Sequence, residues 1–172
     1  FTDPIAEGPI IQAAHDRALQ ANTSLDMIFS LVEEFRSKDS ETPIILMGYI
    51  NTFLANSKAL ESIHERGTDA VLIVDVPGES SLEDIGIQNK NIASISLISP
   101  TTDNDRIQKI CMSSSGFIYY VTLRGVTGAS NLNEDEIQTN ILNIRNSTNL
   151  PVLAGFGIKT ASDARALSHI SD

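Results

Sequence analysis

The chain has 172 residues, 41% of them apolar, and 22 acidic against 12 basic side chains give a net charge of −10. That length supports one sizeable core, the acidity opposes nucleic-acid binding by phosphate neutralisation, and no apolar run approaches the roughly 20 residues of a membrane span. Cys111 is the single cysteine, which excludes an internal disulfide and predicts a reducing, cytoplasmic setting.

The first twelve residues, FTDPIAEGPIIQ, join acids, turn formers and a helix start. Asp3 and Glu7 flank Pro4, and Gly8-Pro9 turns the chain into the apolar run Ile10, Ile11, Ala13, Ala14, Ala18 and Leu19. Carboxylates on a loop that feeds a helix are well placed to act on a ligand, because a rigid element fixes them from behind. Phe1 follows no initiator methionine, charged leader or apolar signal segment, so the chain reads as starting partway through a longer one.

Past residue 20 the organising signal is alternation. After Thr23-Ser24, the spacing of Ile28, Leu31, Val32 and Phe35 predicts an amphipathic helix with Glu33, Glu34 and Lys38 on its other face. Short β-branched runs at 44–47, 70–76, 93–98, 117–121 and 151–154 predict strands. Apart from Asp75, Ser94 and Ser96 each is apolar throughout rather than alternating, as in parallel strands covered on both faces. Between them, Thr101-Thr102-Asp103 starts a helix with Ile107 and Ile110 inward, and Asn133 or Glu134 opens one carrying Ile137, Ile141 and Ile144. Thr160 caps a last helix running to Leu167. No low-complexity linker divides the chain, so residues 1–172 are expected to form a single domain.

Strand–helix alternation specifies an α/β fold with a parallel sheet. An open doubly wound sheet and a closed (β/α)8 TIM barrel both satisfy it. The glycine clusters favour the barrel, because Gly125-Val126-Thr127-Gly128 and Gly155-Phe156-Gly157 come late in the chain, where barrels often build phosphate sites. Five units are visible and a barrel needs eight, so the barrel reading expects further strands at both the N-terminal and C-terminal ends.

In a parallel barrel the working residues gather at the carboxyl ends of strands. Those positions here are Asp3 and Glu7, 48–51, 75–77, 99–101, Tyr119 to Thr122, and 155–157. They combine acids, phenols, hydroxyls and bare backbone. His15, His64 and His169 fall in segments read as helical and share no ligand spacing with each other or with Cys111, so no metal site is expected. No nucleophilic triad and no Gly-Lys-Ser/Thr phosphate loop is present either. Every feature also has a plainer reading. Asp3 and Glu7 can serve a helix dipole, the glycines can be tight strand exits, Tyr49 and Tyr119 can be core tyrosines, Asp75 can satisfy turn donors, and Cys111 can be a buried filler.

Taken in order, FTDPIAEGPIIQ, Met47-Gly48-Tyr49-Ile50-Asn51, Asp75-Val76-Pro77, Pro100-Thr101-Thr102 with Arg106-Ile107, Gly125-Val126-Thr127-Gly128-Ala129 and Gly155-Phe156-Gly157-Ile158 resemble the tryptophan synthase alpha subunit family across essentially the whole chain. The resemblance implies a (β/α)8 barrel that cleaves indole-3-glycerol phosphate to indole and glyceraldehyde 3-phosphate in tryptophan biosynthesis. It implies no cofactor in this subunit, and an alpha2beta2 assembly with a beta subunit that carries pyridoxal phosphate and receives the indole. It places Glu7 at the catalytic acid near the indole N–H, Thr127 as that acid's partner on loop closure, and Tyr119 as an active-site tyrosine. Tyr49 and Ile11 would line the indole side, Gly128, Phe156 and Gly157 would approach the glycerol phosphate, and Asp3 would serve the loop and the alpha–beta interface. The partner is expected on the face formed by 1–9 and 125–133.

Two departures accompany the resemblance. Glu7 stands where the family usually has aspartate. The family's second catalytic acid, a strand glutamate, and its Gly-Ser phosphate loop are expected upstream of Phe1 and downstream of Asp172 respectively. The Glu7 departure keeps open a catalytically impaired alpha-like subunit acting mainly on its beta partner, and a freestanding lyase that releases indole is a third reading.

Overall fold

In the computed structural model, residues 4–55, 62–88, 91–122, 133–158 and 160–172 are described, with side chains from Gly8 onward. Two helices, α1 (Pro4–Gln20) and α2 (Leu25–Arg36), precede strand β1 (Ile45–Gly48) and the short helix α3 (Ile50–Leu54). Strands β2 (Ala70–Ile73) and β3 (Ala93–Ile98) follow, then α4 (Asn104–Ser113), β4 (Ile118–Val121), α5 (Glu134–Arg145), β5 (Val152–Gly155) and α6 (Ala161–Leu167).

Local chemistry sets the later helix starts. Side-chain oxygens of Asp103 and Asn133 accept from the backbone N–H of Arg106 and Glu136, at 2.9 and 3.3 Å. Thr160 and Asp163 form a reciprocal capping box at the start of α6. Such caps contribute about 1 kcal/mol each. α1 is two helical pieces joined at a kink, where Gly8 holds φ 74° and ψ 172° and Pro9 then opens the longer piece, a position that suits proline. That backbone region is essentially reserved for glycine. Gly8→Ala is therefore expected to cost about 1–3 kcal/mol, read as a lowered urea midpoint.

All four strand pairings are parallel, and strand order in the sheet follows chain order, β1-β2-β3-β4-β5. A doubly wound sheet reverses direction at a switch point; this one never does. The described strands form an arc of a barrel wall. The second strand is shorter than the 70–76 expected, because Val74, Asp75 and Val76 leave the ladder as a turn, although Val74 N–H still donates to the Gly48 carbonyl at 3.0 Å.

Side-chain alternation sorts the sheet's two faces. Ala70, Leu72, Ile95, Leu97 and Tyr119 pack together on one face. On the other, Ile98, Ile118, Tyr120 and Val152 lie under Ile107, Ile110, Ile137, Ile141, Ile144 and Leu167 of the helices. Each fully buried isoleucine there contributes about 1.5–3 kcal/mol. Uniform burial holds for β2 only up to Leu72, while β1 alternates between exposed and half-buried. Cys111 is a buried filler whose thiol is pushed up by burial.

The apolar stripe expected on α2 is buried at Val32 but not at Leu31 or Phe35. Phe29 and Val32 are the buried residues of α2, with Leu25 packed against the cluster around Phe29, whereas Leu31 and Phe35 are exposed. Leu25 and Phe29, one turn apart, are the residues of α2 that pack with Ile63, Val71 and Ile92. Beneath them, Arg36 donates through Nε to the Gly67 carbonyl and through Nη1 to the Thr42 carbonyl, both at 2.7 Å, and pairs with Asp69. This hub pins α2 to the entrances of β1 and β2, at the end of the sheet opposite the strand exits.

Candidate active site

The strand exits carry the chemistry-bearing side chains. Tyr119 stands on β4 with its ring across the neighbouring strand β5. A Cβ placed on Gly155 would lie only 2.0 Å from the Tyr119 hydroxyl oxygen, so the glycine is what allows the phenol to lie there. The ring meets Phe156 edge-on, with centroids 6.2 Å apart and planes at 90°. Burial pushes the Tyr119 phenol up, so it stays protonated at working pH and keeps its proton to donate. Its neighbour Tyr120 points the other way and is a core tyrosine, its hydroxyl accepting from Asn140 Nδ2 at 2.9 Å.

Past Gly155 the chain turns sharply. Phe156 holds φ 80° and Gly157 φ 71°, a left-handed pair in which the first member is not glycine. Thr122, 8% exposed at the exit of β4, places its hydroxyl 2.9 Å from the Gly155 carbonyl and 2.5 Å from the Phe156 carbonyl. The Tyr119–Thr122–Gly155–Phe156 cluster is therefore one connected piece.

On the β1 side, Tyr49 is the extended residue that opens α3 and makes no side-chain cap there. The cap comes from the next unit, where Asp75 Oδ1 accepts the Ile50 N–H at 2.8 Å. The turn-donor reading of Asp75 thus holds, with the donor on another strand–helix unit. Farther along the same loop, Glu79 takes a two-pronged contact from Arg106, Nε to Oε1 at 2.5 Å and Nη2 to Oε2 at 3.2 Å. These bonds hold the Glu79 carboxyl below the usual carboxylate range. Stability from a depressed carboxyl is present above its unfolded value and is lost as pH falls through its folded one. Glu79→Gln should therefore lower the urea midpoint at pH 7, and the gap to the parent should narrow as pH falls through and below the usual carboxylate range.

The remaining expected residues divide. Ile11 is 47% exposed on α1, and Glu7 sits on the backbone turn before the Gly8 kink. Asp3, Thr127 and Gly128 lie outside the described residues. Of the histidines, His15 is in α1, whereas His64 and His169 fall in turns rather than helices. Among the described residues, no group of His, Cys, Asp and Glu could hold a metal ion, and no helix is long and apolar enough to cross a membrane. A cavity of about 60 Å³ lined in part by Ile73, Leu82, Ile85, Ser94 and Ser96 takes in Val76 and Pro77 of the 75–77 strand exit, but none of the residues expected to catalyse or to bind substrate. The bonding roles of Thr122, Asp75 and Glu79 escape a sequence reading, which places Thr122 and Asp75 at strand exits without their partners and does not single out Glu79.

Comparison with known proteins agrees with this layout. The family model for the tryptophan synthase alpha chain matches residues 1–172. The tryptophan synthase alpha chain of Nitrosococcus oceani is 43% identical, over 100% of this chain and 65% of its own length. The solved subunit alpha from Legionella pneumophila superposes with a TM-score of 0.83 at 34% identity, covering 100% of this chain and 64% of that one. A structure of the tryptophan synthase α2β2 complex from Pyrococcus furiosus contains a chain with a TM-score of 0.82 at 32% identity, covering 99% of this chain and 70% of that one. Motif order, sheet order and match across all 172 residues converge: the chain belongs to the tryptophan synthase alpha chain family.

Proposed function

We propose that this chain, one domain over residues 1–172, belongs to a carbon–carbon lyase that cleaves indole-3-glycerol phosphate to indole and glyceraldehyde 3-phosphate. It works in the cytoplasm as the alpha subunit of tryptophan synthase. The observation that carries the reading is the connected cluster at the exits of β4 and β5, in which Tyr119 lies over Gly155 and against Phe156, within a chain whose full length matches the family.

The reaction is a retro-aldol cleavage. A base takes the proton from the side-chain hydroxyl, the bond between that carbon and indole C3 breaks, and the hydroxyl carbon becomes the aldehyde. The indole must first accept a proton at C3, which puts positive charge on the ring. Glu7, placed against the indole N–H, stabilises that charge as its carboxylate. Thr127 holds Glu7 when the loop closes. Tyr119, kept protonated by burial, donates at the reacting centre. Tyr49 and Ile11 flank the flat ring, and Gly128, Phe156 and Gly157 present backbone N–H groups to the phosphate, needing no basic patch. Asp3 orders the loop that faces the partner.

No cofactor is assigned to this subunit. The partner is a beta subunit carrying pyridoxal phosphate, consistent with the α2β2 complex of the Pyrococcus furiosus relative. It docks on the face formed by 1–9 and 125–133 and receives the indole. The test is direct: the intact protein with its beta partner releases glyceraldehyde 3-phosphate from indole-3-glycerol phosphate. Absence of turnover with both proteins folded overturns the proposal.

A further inference from the structure

Thr122 is a buried hydroxyl spanning two strand exits. Its N–H continues the sheet by donating to the Gly155 carbonyl at 2.9 Å, so its backbone is already satisfied. The hydroxyl has one proton to give. Two carbonyl oxygens compete for it, and the shorter approach, 2.5 Å, is to Phe156. Phe156 is one of only two non-glycine residues with positive φ among those described, at 80°. Side chains rarely adopt this backbone, and it persists only where surrounding contacts enforce it. Two such contacts are visible here: the edge-on packing of the Phe156 ring against Tyr119 and the Thr122 hydroxyl on its carbonyl.

We infer that Thr122 is a positioning residue for the phosphate end of the substrate site: its hydroxyl holds the Phe156 carbonyl and so keeps Phe156 and Gly157 turned toward the ester. The inference rests on the lyase reading above. It assigns Thr122 no contact with substrate. Without the hydroxyl, Phe156 relaxes toward negative φ, and the Gly157 N–H leaves the direction in which it meets phosphate. Both contacts of the Thr122 hydroxyl go to the exit of β5, so the indole side, assigned to Tyr49 and Ile11, should keep its shape.

The experiment compares Thr122→Ala with Thr122→Ser, a pair that differs by one oxygen. Calorimetry on the intact protein reads the affinity for two probes, glycerol 3-phosphate and indole. Alanine should weaken glycerol 3-phosphate by about fivefold to tenfold, the worth of one hydrogen bond. Serine should stay within about twofold of the parent, and indole affinity should hold in both. Equal behaviour of alanine and serine overturns the inference, and so does a parallel loss for both probes. If the alanine protein does not fold, Thr122→Val supplies a side chain of the same size without the hydroxyl, judged by the same criteria. A parent protein that binds neither probe overturns the lyase reading together with this inference. A parent that binds both, with the hydroxyl-free variant unchanged, overturns the inference alone.

Discussion

Gly155→Val is expected to abolish indole-3-glycerol phosphate cleavage while leaving a folded sheet. A Cβ at this position would stand 2.0 Å from the Tyr119 hydroxyl oxygen, 2.4 Å from Cζ and 2.9 Å from Cε1. A flexible side chain could move its tip aside, but a phenol is rigid, so the whole ring must swing about its first torsion. The ring is held edge-on by Phe156, and moving one displaces the other. Overpacking of this kind costs about 1–3 kcal/mol of stability. The catalytic cost is larger, because misplacing a reacting group by about 1 Å lowers the rate by roughly a hundredfold or more. Gly155→Ala already introduces the offending atom and should show most of the loss. Adding Tyr119→Phe to it should recover little, since the contact with Cζ remains. The measurements are kcat/KM for the cleavage and the urea midpoint. A valine variant within about threefold of the parent in kcat/KM would show that the pose of Tyr119 is not needed.

Helix starts are legible in the sequence wherever their chemistry is local. Asp103, Asn133 and Thr160 each cap a helix by reaching an N–H three residues on, and a short window contains the whole interaction. Helix faces are harder. In α2 the apolar residues cover more than one face, so both Ile28-Leu31-Val32-Phe35 and Leu25-Phe29-Val32 satisfy helical spacing. Only the position of Ile63 and Val71 decides that Phe29 is the buried one. Helix α3 goes unforeseen for a related reason: Tyr49 offers no cap, and the carboxylate that replaces it, Asp75, lies 25 residues away.

The site divides along the same line. Glycine at 155 is readable as a strand exit, but the reason for it is the ring of Tyr119 on the adjacent strand, which parallel pairing of β4 with β5 brings alongside. Thr122 reaches its carbonyls across 33 and 34 residues. No periodicity or motif encodes such a bond. Motif order names the family because its glycines, acids and tyrosines recur at set spacings; what each contributes is visible only once strands 30 or so residues apart lie side by side, as about one βαβ unit requires.

Glu7→Gln should lower kcat by about 10²–10⁴, the usual worth of a positioned acid or base, with a smaller change in KM. The reasoning is electrostatic. Positive charge on the indole exists only after C3 is protonated, so a carboxylate at the ring nitrogen favours the transition state far more than the bound substrate. The amide of glutamine has nearly the same shape but no charge, so binding survives and chemistry does not. Glu7→Ala should follow the same pattern. Along the backbone, Glu7 sits one residue before the Gly8 kink. Its extra methylene relative to the family's aspartate is a matter of reach, and Glu7→Asp, which keeps the charge, should retain clearly more activity than Glu7→Gln. Single-turnover measurement of indole release separates chemistry from binding. A glutamine variant with the parent's rate would remove Glu7 from the reaction and leave the ring nitrogen without a partner on this loop.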